Sequence, residues 1–231
     1  MEQQIKSIGE IIQANPKVLE QAEATMMQAN PSTRSLQAII HNLPKRFEAC
    51  GFKNFVADED QLKIYADICL KFSKNPKRKS LVMFGNVGSG KTHLAVAILR
   101  NLPPVKQNAA LYPSRPTESI FLVADEFFAE MNQAATTQKM DKNDVISKYF
   151  KNFDVILLDE LRVKNFTEAK RENLYLFVNR AYLNEKSIII TTNFTPEQLE
   201  KVDEPTVSRL NEMADGFLLF TGKDFRLRTK Q

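Results

Sequence analysis

Glycines at 85, 88 and 90 crowd in front of Lys91 and Thr92. The run Gly85-Asn86-Val87-Gly88-Ser89-Gly90-Lys91-Thr92, followed by His93, fits the spacing G-x-x-x-x-G-K-[ST]. That pattern suits one chemistry, the gripping of a phosphate chain. Glycine lets the backbone curl until several N–H groups aim at one anion. A helix starting at Lys91 adds the positive end of its dipole. Lys91 would neutralise the β- and γ-phosphates, and the Thr92 hydroxyl would help hold Mg2+. Residues 85–93 are therefore the candidate ATP contacts. Such a loop promises bound phosphate and, alone, nothing about turnover.

A second set of residues speaks to turnover. The run "FDVILLDE" (153–160) is an apolar strand ending in two acids. It would carry Asp159 to the carboxyl edge of a parallel sheet, where ligands bind in open α/β folds, and there Asp159 can hold Mg2+. Glu160 points elsewhere, because side chains alternate along a strand. A carboxylate beside the metal site is a candidate general base for an attacking water. In "SIIITTN" (187–193), Asn193 ends another apolar strand, where an amide can orient water. Arg209 in "PTVSRLNEM" offers a permanent charge and a rigid fork of donors for phosphate. The tail "TGKDFRLRTK" holds Lys223, Arg226, Arg228 and Lys230, which suit either a phosphate sensor or a solvated basic end.

These residues need a scaffold. Short apolar runs at 80–85, 119–124, 153–160, 187–193 and 216–222 alternate with helical patterns. Strands that are apolar along their whole length, with helices between them, predict a five-stranded, mostly parallel sheet flanked by helices. "TPEQLEKV" opens with the Thr-Pro-Glu start of a capped helix. Four prolines in 102–116 predict a surface loop. Residues 1–46 differ: they are rich in Gln and Asn, show no strand-like run, and space Ile5, Ile8, Ile11 and Ile12 as on a helix. They predict a small helical N-terminal extension for docking a partner, with the ATPase domain at 47–231.

Composition narrows the classes. The 231 residues carry 32 Lys and Arg against 28 Asp and Glu, a net charge of +4, which allows nucleic acid without requiring it. Cys50 and Cys69 are far apart and make no CxxC, so neither a zinc site nor a disulfide framework is expected, and the cytoplasm is the expected compartment. No membrane span is expected.

In this order, the loop at 85–92, "DVILLDEL", "ITTN", "VSRL" and "KDFR" resemble an AAA+ P-loop ATPase, more narrowly the DnaC/DnaI-type helicase loaders and the IstB-type transposition helpers. "LPKRFEACGFKNF" (43–55) resembles the segment leading into a loader's ATPase core. The resemblance covers roughly residues 43–230. It implies Walker A roles for Lys91 and Thr92 and Walker B roles for Asp159 and Glu160. It also implies sensor 1 at Asn193, an arginine finger acting in trans at Arg209 and sensor 2 at Arg226. Self-association, a replicative DNA helicase and single-stranded DNA follow as expected partners. Phe52 and Phe55 could flank the adenine or belong to the core.

Single-stranded DNA calls for cations and stacking aromatics. Arg162, Lys164, Phe166, Lys170 and Arg171 lie just after the Walker B strand and are the first candidates. Lys139, Lys142, Lys148, Tyr149 and Lys151 are the second. The expected function is ATP-dependent loading of a helicase, set against a transposition helper and an ATP-switched adaptor with little turnover.

Overall fold

The computed structural model describes residues 37–76, 79–106, 114–137, 140–164, 166–201, 203–222 and 224–225. Six strands form one parallel sheet: β1 (Ile39–His41), β2 (Ser80–Gly85), β3 (Glu118–Val123), β4 (Val155–Leu161), β5 (Ser187–Thr192) and β6 (Ala214–Phe220). Their order across the sheet is β1-β3-β4-β5-β2-β6. The helices are α1 (Asp60–Lys74), α2 (Lys91–Arg100), α3 (Ala124–Thr136), α4 (Lys142–Asn152), α5 (Glu168–Leu183), α6 (Pro196–Glu200) and α7 (Glu204–Met213).

The five expected strands are present, and a sixth corrects the count. β1 lies inside the segment read as strandless and helical. Its three residues pair with β3, with Ile39 N–H donating to Thr117 O and Ser119 Oγ donating to Ile39 O. Three residues between loops are too few to show a period of two, so only the partner strand makes this a strand. Residues 1–36 of the proposed extension lie outside the described residues.

Strand alternation sorts the core into two layers. Val82, Phe84, Ile120, Ile156, Leu158, Ile188 and Ile190 face α3, α4, α5, α6 and α7. Leu81, Met83, Phe121, Val155, Leu157 and Ile189 face α1 and α2. Both faces being covered is why the strands read as unbroken apolar runs. α2 is buried from Leu94 through Leu99, because α1 and the segment around Phe47, Phe52 and Phe55 close over it. Each fully buried large apolar side chain contributes about 1.5–3 kcal/mol.

Helix starts follow local chemistry. Asp141 caps α4, Thr167 caps α5, Thr195 caps α6 with Pro196 in the first turn, and Asp203 caps α7. The base of the proline-rich loop is tied down. Val105 bridges Arg115, and Arg115 donates two hydrogen bonds of 2.7 Å to the Asp154 carboxylate. Burial pushes the Asp154 carboxyl up, but Arg115 and the Glu118 N–H outweigh that and hold it below its ordinary value. Among the described residues no helix is long and apolar enough to cross a membrane, and no group of three His, Cys, Asp or Glu could hold a metal ion.

Candidate nucleotide site

β2 ends at Gly85, and the chain turns through Gly88 and Gly90 into α2, all three at positive φ. Gly85 is demanded by a close approach. The Phe220 carbonyl of β6 accepts from Asn86 N–H, and a Cβ on Gly85 would meet that carbonyl oxygen at 2.0 Å. Phe225 N–H donates to Gly88 O, so the segment after β6 lies against the loop tip. Lys91 is buried. Its Nζ donates to Gly85 O (2.8 Å), Asn86 O (2.6 Å) and Ser89 Oγ (3.3 Å). The ammonium therefore sits inside the curl of the loop, held by the loop's own carbonyls.

β5 lies between β2 and β4 in the sheet, so the ends of all three meet at one edge. Asp159 shares the parity of Val155 and Leu157 and turns toward α2, as its place in the strand predicts. Its Oδ1 accepts from Thr92 Oγ1 (2.9 Å) and from Thr191 Oγ1 (2.6 Å). Burial raises the Asp159 pKa, and the two hydroxyls pull it partly back. Thr191 is a site residue that sequence reasoning missed. The available signal was a hydroxyl at the end of an otherwise apolar strand.

Glu160 sits at φ 63, where the register of β4 against β5 shifts. Its N–H donates to Thr191 Oγ1, which joins Glu160, Thr191, Asp159 and Thr92 in one chain of hydrogen bonds. Its carboxylate does turn elsewhere: Oε1 accepts from Arg162 Nη2 at 2.6 Å. The oxygens of Thr92 and Asp159 are hard donors beside a loop of phosphate-seeking N–H groups. That set fits Mg2+ and a nucleoside triphosphate.

The other candidates are placed as follows. Asn193 Oδ1 accepts from Val163 N–H and pins the turn after β4. His93 does not turn to the phosphate loop; its Nε2 meets the Gly51 backbone, and its ring packs edge-on against Phe55 at 5.3 Å. Phe52 and Phe55 both pack against the α1–α2 layer, and the Phe55 ring lies against Gly90. Val87 is exposed at the loop tip. Arg209 lies on α7, across the sheet from α2, so it is not brought to the loop of its own chain. Arg226 lies outside the described residues, as do Lys139, Lys223, Arg228 and Lys230.

The candidate DNA stretch does not form a free cationic patch. Arg162 pairs with Glu160, Lys170 with Asp125 (2.6 Å) and Arg171 with Glu168 (3.3 Å). Phe166 packs edge-on against Phe194 at 5.1 Å. Lys164 is exposed, with no ionic partner among the described residues. In the second candidate set, Lys142 pairs with Glu172, and Tyr149 is a core residue bonded to Glu130.

The sequence profile of the bacterial DnaA ATPase domain matches residues 44–214. The chain belongs to that family. It is 27% identical over 203 residues to the chromosomal replication initiator protein DnaA of Buchnera aphidicola, a match covering 86% of this chain and 42% of that protein. The chain thus spans less than half the length of that relative. Its fold is that of the DnaC helicase loader (TM-score 0.61, 23% identity, 77% of this chain and all of that one). A DnaA initiator bound to AMPPCP and single-stranded DNA shares it too (TM-score 0.56, 22% identity, 79% of this chain and 52% of that one). The family match places the chain among AAA+ P-loop ATPases, the superfamily that the motif order implied, and its likeness to the DnaC helicase loader is one of fold.

Proposed function

We propose that this chain is a Mg2+-dependent ATPase that binds single-stranded DNA and delivers a replicative DNA helicase at the start of replication. The observation that carries the hydrolytic half is the shared hydrogen-bond chain of Thr92, Asp159, Thr191 and Glu160 beside Lys91. Bound Mg2+ and ATP would supply an electrophilic γ-phosphate at that edge. The chain's own residues do the rest. The loop amides and Lys91 orient the phosphates, Thr92 and Asp159 hold the cation, and Glu160 accepts a proton from water once its carboxylate is free of Arg162. Asn193 fixes the turn from which Glu160 and Arg162 act.

Arg209 supports a site completed by a second copy. α7 and α2 lie on opposite sheet faces, which keeps Arg209 from its own phosphate loop and supports a role at a neighbour's nucleotide. The DNA-bound neighbour and the loader fold support the nucleic-acid and helicase parts. The family match favours a second reading, an initiator-type protein that assembles on DNA without a helicase of its own. Co-purification of the full chain with the replicative helicase of the same genome, with and without ATP and single-stranded DNA, separates the two. Stable association, lost on hydrolysis and retained by Glu160→Gln, is expected. DNA-dependent assembly without helicase under every condition would move the chain to the initiator reading.

A further inference from the structure

Arg209 is not held on a loose stalk. Its Nε donates to Asn179 Oδ1 at 2.8 Å, and its Nη1 donates to Pro205 O at 2.9 Å. Its guanidinium lies over the ring of Tyr175 at 5.1 Å and near that of Tyr182 at 5.9 Å. Tyr182 is itself fixed, its hydroxyl donating to Glu212 Oε1 at 2.9 Å. Tyr175, Asn179 and Tyr182 fall at i, i+4 and i+7 of α5 and so share one helix face. The other face of that helix, with Leu174, Phe177, Val178 and Ala181, is anchored in the core. Among the described residues Arg209 Nη2 has no hydrogen-bond partner, which leaves that end of the fork for an anion.

We infer that Tyr175, Asn179 and Tyr182 are positioning residues that hold Arg209 in the posture in which it meets a neighbouring copy's nucleotide. The inference rests on the reading of Arg209 as a residue that acts in trans. Arginine has many rotamers, and an unrestrained one must be ordered each time two copies meet. Two rings beside the guanidinium and one amide oxygen on Nε restrict the rotamers open to it. The ordering is thereby made at folding rather than at assembly. The cradle also sits on the helix that follows β4, which carries Asp159 and Glu160. The cradle for the arginine that one subunit offers is therefore built on the element leading out of its own nucleotide site.

The test mixes two full-length variants. The acceptor carries Arg209→Ala and keeps its nucleotide site. The donor carries Lys91→Ala and keeps its arginine. Neither is expected to hydrolyse ATP alone, and the mixture is expected to recover turnover through donor Arg209 in the acceptor's site. Adding Asn179→Leu or Tyr175→Leu to the donor is expected to cut that recovery on the order of tenfold to a hundredfold, the scale of a misplaced catalytic group. The KM for ATP at the acceptor should stay unchanged. Asn179→Asp, which keeps an acceptor oxygen for Nε, should restore it. A merely structural role would not follow this pattern of loss and rescue, because the reporting site belongs to the acceptor, in which Tyr175 and Asn179 are unchanged. If donors with Asn179→Leu and Tyr175→Leu recover turnover as well as the parent donor, the cradle is overturned and the trans arginine stands. If Arg209→Ala alone hydrolyses at the wild-type rate, the trans reading falls and takes the cradle with it.

Discussion

The loop at 85–92 and the stretch at 162–171 leave the same edge of one sheet, and both were singled out for their cations. They differ in what holds the chemistry. In the loop it resides in the backbone: positive-φ glycines and carbonyls that enclose the Lys91 ammonium. In 162–171 it resides in side chains, and most of those have found partners, Arg162 with Glu160, Lys170 with Asp125 and Arg171 with Glu168. A site defined by backbone geometry is set by its own glycines and by the strand packed against it. A site defined by charge depends on the sign of its neighbours, which a linear motif does not reveal.

The largest effect should come from breaking the backbone side of the comparison. Gly85→Ala would put a Cβ 2.0 Å from the Phe220 carbonyl oxygen at φ +120. Either β6 must move away or the loop must change shape. The expected cost is at least about 3 kcal/mol of stability, together with loss of nucleotide binding, read by denaturant midpoint and by a fluorescent ATP analogue. Unchanged affinity and midpoint would show that the loop does not owe its shape to β6.

Arg162 joins the two regions, since it holds an oxygen of the carboxylate assigned to hydrolysis. Both side chains of the pair are about half exposed (51% and 42%), so the pair is discounted for solvent screening to at most about 1 kcal/mol. Arg162→Ala should therefore raise DNA-independent ATP turnover by about twofold to fivefold, and Glu160→Gln should abolish turnover in either background. A basal rate that stays level or falls would mean that the pair does not restrain Glu160.

The same contrast explains what could be read in advance. The central strands, the phosphate loop and the place of Asp159 at the carboxyl edge of the sheet were legible because apolar runs, glycine spacing and strand parity are local properties. β1 was not, because its pairing with β3 brings Ile39 opposite Glu118, far along the chain. Thr191 escaped because a threonine at a strand end has many uses, and only the neighbouring strand shows that its hydroxyl is aimed at Asp159. His93 was read as an ATP contact by adjacency, and helical rotation turns it to Gly51 and Phe55. The partners of Arg162 and Lys170 were illegible for a different reason. Glu160 and Asp125 were visible, but nothing in the spacing says which cation each carboxylate takes.

The smallest effect sharpens the charge-defined side. Lys170 and Lys164 are both cations of one candidate stretch, but among the described residues only Lys170 has an ionic partner, bridging α5 to Asp125 on α3. If pairing decides their roles, the two alanine variants should separate. Lys170→Ala should lose about 0.5 kcal/mol of stability and leave the salt dependence of single-stranded DNA binding unchanged. Lys164→Ala should leave stability unchanged and lower the slope of log affinity against log salt by about 0.7, the value of one phosphate contact. A titration of both variants from low to moderate salt, with thermal midpoints alongside, reads both quantities. Equal slope changes would mean that the Asp125 pair opens when DNA arrives. Lys170 would then be a DNA cation held in reserve, and the line between structural and binding charges in this stretch would disappear.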